Sequence, residues 1–148
     1  MNRIVRGSAS GLAATAAMSA VMVAGKRLEL LGTPPPKQIT QSAGRRAGGN
    51  PRSAPEPAFD AAWLAAHASY GAALGVAYTL VRPLLPDKPT TAGLMYGIGV
   101  WAANYAGILP LLGLYPTPGE DSTSRQSVMF AAHLMYGAVL GRTADRLA

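Results

Sequence analysis

The chain contains no cysteine and, in 148 residues, only seven carboxylates. Without a thiol there is no disulfide, no thiolate metal site and no cysteine nucleophile, and the redox compartment is left open. Charged residues make up 14% of the sequence, about half the share of an ordinary soluble domain, so little is available to cover a water-facing surface. The carboxylates (Glu29, Glu56, Asp60, Asp87, Glu120, Asp121, Asp145) and most of the bases gather in a few segments. Long uncharged stretches lie between them. No strand pattern is visible, so no glycine-rich phosphate loop follows one. Asp60 is seven positions from His67, which rules out a credible Ser-His-Asp set. No carboxylate falls in the middle of an apolar run, where a proton- or cation-coupled transporter keeps its relay group. These absences argue against an enzyme.

What is present reads as an all-α membrane protein. Four apolar stretches, from about 4 to 31, 59 to 82, 92 to 114 and 126 to 142, approach the roughly 17–25 residues a helix needs to cross a bilayer. The expected fold is a single transmembrane domain, a four-span helix bundle with its lipid bilayer as solvent. The first stretch follows Arg3 and Arg6 as a secretory signal would, but Ser8, Ser10, Thr15 and Ser19 interrupt it, and it has no Leu-rich centre. It is expected to be a retained helix. Lysine and arginine are shared almost evenly between the two sides, so the charge bias sets no orientation; the first helix favours cytoplasmic termini.

Segment 32–57 is a basic linker rich in proline and glycine. A short helix through 38–47 can follow its prolines, which suit a first helical turn. Lys37, Arg45, Arg46 and Arg52 offer contact to anionic lipid headgroups, the alternative being a solvated loop. The bases are not interleaved with aromatics, so nucleic acid is not an expected partner.

Two features mark an internal duplication. Residues 65–75 read AAHASYGAALG and residues 131–141 read AAHLMYGAVLG, identical at eight of eleven positions, and the match pairs the only two histidines, His67 and His133. Leu30-Leu31-Gly32-Thr33-Pro34 likewise resembles Leu111-Leu112-Gly113-Leu114-Tyr115-Pro116. The repeated unit is then a helical hairpin, and two successive hairpins give a parallel repeat about an axis along the membrane normal. Each stretch also holds one Gly-xxx-Gly: Gly7 and Gly11, Gly71 and Gly75, Gly93 and Gly97, Gly137 and Gly141. Glycines four apart share a helix face and let a neighbouring backbone approach closely.

The order of these features resembles the YagU-like family of small bacterial inner-membrane proteins of unknown function. The resemblance rests on a basic start, a Pro-Pro loop, a histidine-bearing second helix, the Leu111-Leu112-Gly113-Leu114-Tyr115-Pro116 stretch and a last helix with Ala132-His133-Leu134. The long arginine-containing linker and the short, charged last helix depart from it. It implies a multi-pass protein of the bacterial cytoplasmic (inner) membrane and no particular activity.

The histidines carry the sharpest expectation. Each lies eight or nine residues into its stretch, about 12–14 Å deep, where ionisable groups are costly and mark function. His67 with Tyr70 and Gly71, and His133 with Tyr136 and Gly137, could flank a b-type haem, a bis-histidine site with a flat glycine edge for the porphyrin. Helices in glycine contact stand too close to hold a haem between them, so one use of that face excludes the other. No metal site without a porphyrin is expected, since zinc wants more ligands than two imidazoles. The other course is interhelical hydrogen bonding of neutral histidines to Tyr70, Tyr136 or Asn104. The functions expected are a structural or accessory subunit that joins other membrane subunits or its own copies, then the haem protein, then a small-solute channel.

Overall fold

The computed structural model describes residues 1–50 and 55–148; Arg52 of the expected lipid contact lies outside the described residues. Every regular element among them is helical. Helix α1 is Arg3–Arg27, opened by the Asn2 side chain, which accepts from the Ile4 N–H at 2.9 Å. It ends earlier than the stretch to residue 31 implied: Leu28 caps it, and Glu29 turns left-handed with φ 60°. Helix α2 is Pro35–Arg46, and the prolines themselves form its first turn, three residues ahead of the expected start. Helix α3 is Glu56–Val81, continued by a 3-10 turn at Arg82–Leu84.

Helix α4 begins with Pro89 at its first turn and runs as α-helix to Ala103. It passes through a π-turn at Asn104–Ile108 and closes with Leu109–Leu111. Pro110 has no N–H and would crowd the carbonyl four residues back, and the wider turn ahead of it accommodates that. Helix α5 is Thr123–Arg146, opened by the Ser122 hydroxyl, which accepts from the Arg125 N–H at 3.4 Å.

Among the described residues, three helices are long and apolar enough to cross a membrane: Arg3–Arg27, Phe59–Leu84 and Pro89–Leu111. The fourth expected span, α5, is not among them. Gln126 and Ser127 at one end, His133 in the middle and Arg142 at the other dilute it, and the run 128–141 covers only about 21 Å at 1.5 Å per residue.

The helices associate in a fixed order. α1 packs on α3, α4 packs on α5, and α1 joins the two pairs by packing on α5; α3 and α4 make no comparable backbone approach. All eight glycines of the four motifs lie in the two pair contacts. A Cβ on Gly7 would stand 2.6 Å from the Val76 Cα, and one on Gly75 2.7 Å from the Gly11 Cα. In the second pair a Cβ on Gly93 would meet the Gly137 carbonyl oxygen, and one on Gly141 the Pro89 carbonyl oxygen. Backbone atoms cannot swing aside as side-chain tips can, so hydrogen is the only substituent that fits. Between α1 and α5 the contact is filled by side chains: Ala14, Met18 and Met22 are buried against Val128, Met129 and Ala132.

The ends of α1 and α4 differ from the expected alignment. Glu29 and Gly113, both with φ 60°, occupy the left-handed position, and Leu30 and Leu114 then donate back to the Gly25 and Leu109 carbonyls at 2.9 Å. Gly32, which the sequence pairs with Gly113, is left-handed too but lies three residues beyond that turn.

Candidate functional site

Because α3 and α4 do not close on each other, a cavity of about 520 Å³ opens between them. α1 and α5 form its floor through Thr15, Met18, Met129, His133 and Tyr136, and α2 closes one end with Pro35, Pro36, Ile39 and Thr40. Both tryptophans of the chain, Trp63 on α3 and Trp101 on α4, stand in its walls. Trp101 stacks on Tyr105 at 5.5 Å between ring centres and meets Phe130 edge-on at 5.0 Å. Among the described residues, no lysine, arginine, aspartate or glutamate lines it.

His67 and His133 both face this cavity. The His133 Nδ1 lies 2.8 Å from the Met129 carbonyl oxygen one turn back; as a donor there, it leaves Nε2 bare. The His67 Nε2 is buried with no hydrogen-bond partner, as is the indole Nε1 of Trp101. Neither imidazole bonds to the groups expected to satisfy it. The Tyr70 hydroxyl donates to Asn104 Oδ1 at 2.8 Å, Asn104 Nδ2 to the Val100 carbonyl at 2.8 Å, and the Tyr136 hydroxyl to the Gly71 carbonyl at 2.9 Å.

The glycine tracks have a different partner from the histidines. Gly71 and Gly75 meet α1, and Gly137 and Gly141 meet α4, while the imidazoles front the gap between α3 and α4. Each imidazole therefore fronts a different neighbour from the glycines expected to share its face. Two hydroxyls hold the gap at its width: Tyr70 ties α3 to α4, and Tyr96 on α4 donates to the Leu74 carbonyl on α3 at 2.8 Å.

A polar clasp lies at the α2 end. Arg125 donates to the Thr33 carbonyl at 3.0 Å and to Gln38 Oε1, and its guanidinium stands 5.4 Å over the Tyr115 ring. Asp121, 3.7 Å from Arg125, accepts from Tyr105 at 3.0 Å and from Tyr115 at 3.4 Å. Burial first, and then the Asp121 carboxylate, push the Tyr115 hydroxyl up to about 12, against the lowering pull of Arg125. Of the basic residues expected to face headgroups, Lys37 pairs with Asp60 at 2.8 Å, Arg45 donates to Ser42 at 3.1 Å, and the Arg46 guanidinium lies over Gly113.

Sequence reasoning found the histidines and missed the aromatic walls. The available signal was the placement of both tryptophans, Trp63 and Trp101, on the two helices that flank the cavity.

These observations define a protein that is helical throughout its regular elements among the described residues, three of them long and apolar enough to span a bilayer. The sequence matches, over residues 1–148, the family of unknown function DUF6789, and the chain belongs to that family. No curated protein and no solved structure matches it.

Proposed function

We propose that this is a small multi-pass membrane protein that holds a neutral lipophilic ligand between α3 and α4. The observation that carries the proposal is the cavity of about 520 Å³, walled by aromatic and aliphatic side chains, with no lysine, arginine, aspartate or glutamate lining it among the described residues. Such a space is close to the usual form of a small-molecule site, apolar with a few polar groups that fix orientation. α5 completes the bundle as a fourth, less apolar member, its buried face shielded from lipid by α1 and α4. In lipid the apolar effect between helices is absent, and the glycine contacts supply the close packing that replaces it.

The duplication supports this architecture. Gly11 approaches the Gly71 carbonyl as Gly93 approaches the Gly137 carbonyl, and Gly71 and Gly137 are partners in the repeated stretch. Two like hairpins, joined by α1 and α5, leave their outer members apart and create the gap. The protein then serves a membrane assembly, or its own homo-oligomer, as a ligand-holding accessory subunit. Arg45 and Arg46 on α2 contact anionic headgroups.

Haem is a second candidate for the same space. The hydrogen bond of His133 Nδ1, which leaves Nε2 bare, favours it, and the unpartnered His67 Nε2 offers a second ligand. The two haem carboxylates, however, meet no lining lysine or arginine. The uncharged lining therefore favours a neutral ligand.

Native mass spectrometry from mild detergent tests the proposal. A stoichiometric lipophilic adduct is expected, weakened in Leu74→Trp, whose larger side chain narrows the cavity. A chain that leaves the detergent bare in both forms contradicts it, and a Soret band abolished by His67→Ala selects haem.

A further inference from the structure

Resting on that cavity as a ligand site, we infer that α2 is a lid over its end, held shut by two polar latches and free to lift when they let go. The sequence of the helix sets this up. Pro35, Pro36, Ile39 and Thr40 line the cavity, while Lys37 and Gln38 between them bond to the flanking helices. Of the twelve residues of α2 only Pro35 is buried. Little apolar burial therefore holds the helix down, and elements with few buried apolar contacts open at low cost.

The latches lie one on each flank. On the α3 side the Lys37 ammonium donates to Asp60 Oδ1 at 2.8 Å, and the Trp63 indole donates to the same oxygen at 2.8 Å. The Lys37 and Asp60 side chains are 23% and 43% exposed, so water competes for the pair and its net strength is modest. On the α5 side Arg125 donates to Gln38 Oε1 and, at 3.0 Å, to the Thr33 carbonyl just ahead of the helix, while its guanidinium lies over Tyr115. Trp63 and Tyr115 both line the cavity, so an occupant that touches either ring touches a latch. Gly32 and Gly48 bracket the lid, both left-handed at φ 65° and 79°, and a Cβ on either would meet nothing within 4 Å. No close packing asks for glycine there; what the two supply is backbone freedom at the points where a lid bends.

The chain has no cysteine, so a single introduced one is its only thiol. Met129, one turn beyond Arg125, lines the cavity at 8% exposure, whereas Leu140 is fully buried on the same helix away from it. Met129→Cys and Leu140→Cys, each in phosphatidylcholine nanodiscs, are exposed to a membrane-impermeant trimethylammonium methanethiosulfonate. Labelling through a transient opening follows the population of the open form. Lys37→Met, which leaves Asp60 to Trp63, and Gln38→Ala should each speed labelling at Met129→Cys about threefold, and the two together about tenfold, the scale of one and of two lost polar contacts. Labelling at Leu140→Cys should stay slow in every lid variant. Decylbenzene, a neutral lipophile added to the nanodiscs, should protect Met129→Cys by filling the cavity.

A rate at Met129→Cys that the lid variants leave unchanged, or one that rises equally at Leu140→Cys, overturns the lid; protection by decylbenzene in that case leaves the ligand site in place. Acceleration at Met129→Cys alone that decylbenzene does not slow supports the lid and overturns the ligand site beneath it.

Discussion

The contact between α1 and α3 and the gap between α3 and α4 are opposite solutions to placing two helices side by side. In the first, a methyl group on Gly7, Gly11 or Gly75 would strike backbone within 3 Å, and one on Gly71 would strike the Thr15 side chain. In the second, tryptophan and tyrosine fill the facing surfaces, and the backbones are held apart by the Tyr70 and Tyr96 hydroxyls. Glycine contact between backbones is rigid and tells little about chemistry. The widely spaced pair leaves polar atoms over, and chemistry starts from those.

That contrast is broken most severely at the glycines. Gly75→Leu and Gly93→Leu force backbone apart, and each should destabilise the bundle by about 3 kcal/mol or more, read as a fall in thermal stability in detergent. Gly107→Leu, where a Cβ would meet nothing within 4 Å, should leave it unchanged. Equal losses at all three sites would show that the glycines are not packing elements.

A smaller effect is expected where a hydroxyl bridges the helix pairs. Tyr136→Phe leaves the buried Gly71 carbonyl without its side-chain donor and should cost about 1 kcal/mol in the same assay. No loss would mean that the two pairs are joined by α1 and α5 alone.

The clasp near α2 responds to pH. The Tyr115 proton is held more tightly in the folded chain, to about 12, than at the ordinary value near 10. Below pH 10 both states keep the proton and the stabilisation is complete. Above it the unfolded chain ionises first, so stability falls between pH 10 and about 12. Tyr115→Phe should make that decline shallower, and an identical slope in the variant would remove Tyr115 from the account.

The least effect belongs to Gly99, which is exposed in α4 with open space around it. Gly99→Ala should raise stability by about 0.5–1 kcal/mol through helix propensity alone. A loss there would reveal a neighbour that the monomer does not contain.

Much of the packing was legible because its signals are local. Glycines at a spacing of four identify a smooth face whatever the helix meets, and the repeated AAHxxYGAxLG stretch aligns His67 with His133 without any coordinates. Which helix receives each face is a long-range matter, and here the expectation failed. The glycine face of α3 went to α1, and His67 was left to the gap. The spans were readable as apolar runs, but α5 falls short because His133 and the polar residues at its ends lower its apolar content. The partners of the histidines were misjudged for a similar reason. Tyr70, Tyr136 and Asn104 are near in depth, yet each bonds to an oxygen on its own or a neighbouring helix.

The most direct test places the protein in bilayers of phosphatidylcholine brominated midway along the acyl chain and measures emission from Trp63 and Trp101 separately, using Trp101→Phe and Trp63→Phe. A membrane-embedded bundle whose α3–α4 cavity admits lipophilic molecules predicts strong quenching of both residues relative to unbrominated vesicles. Emission unchanged by bromine at both positions, or a chain that stays in the aqueous phase when the vesicles are pelleted, would contradict it.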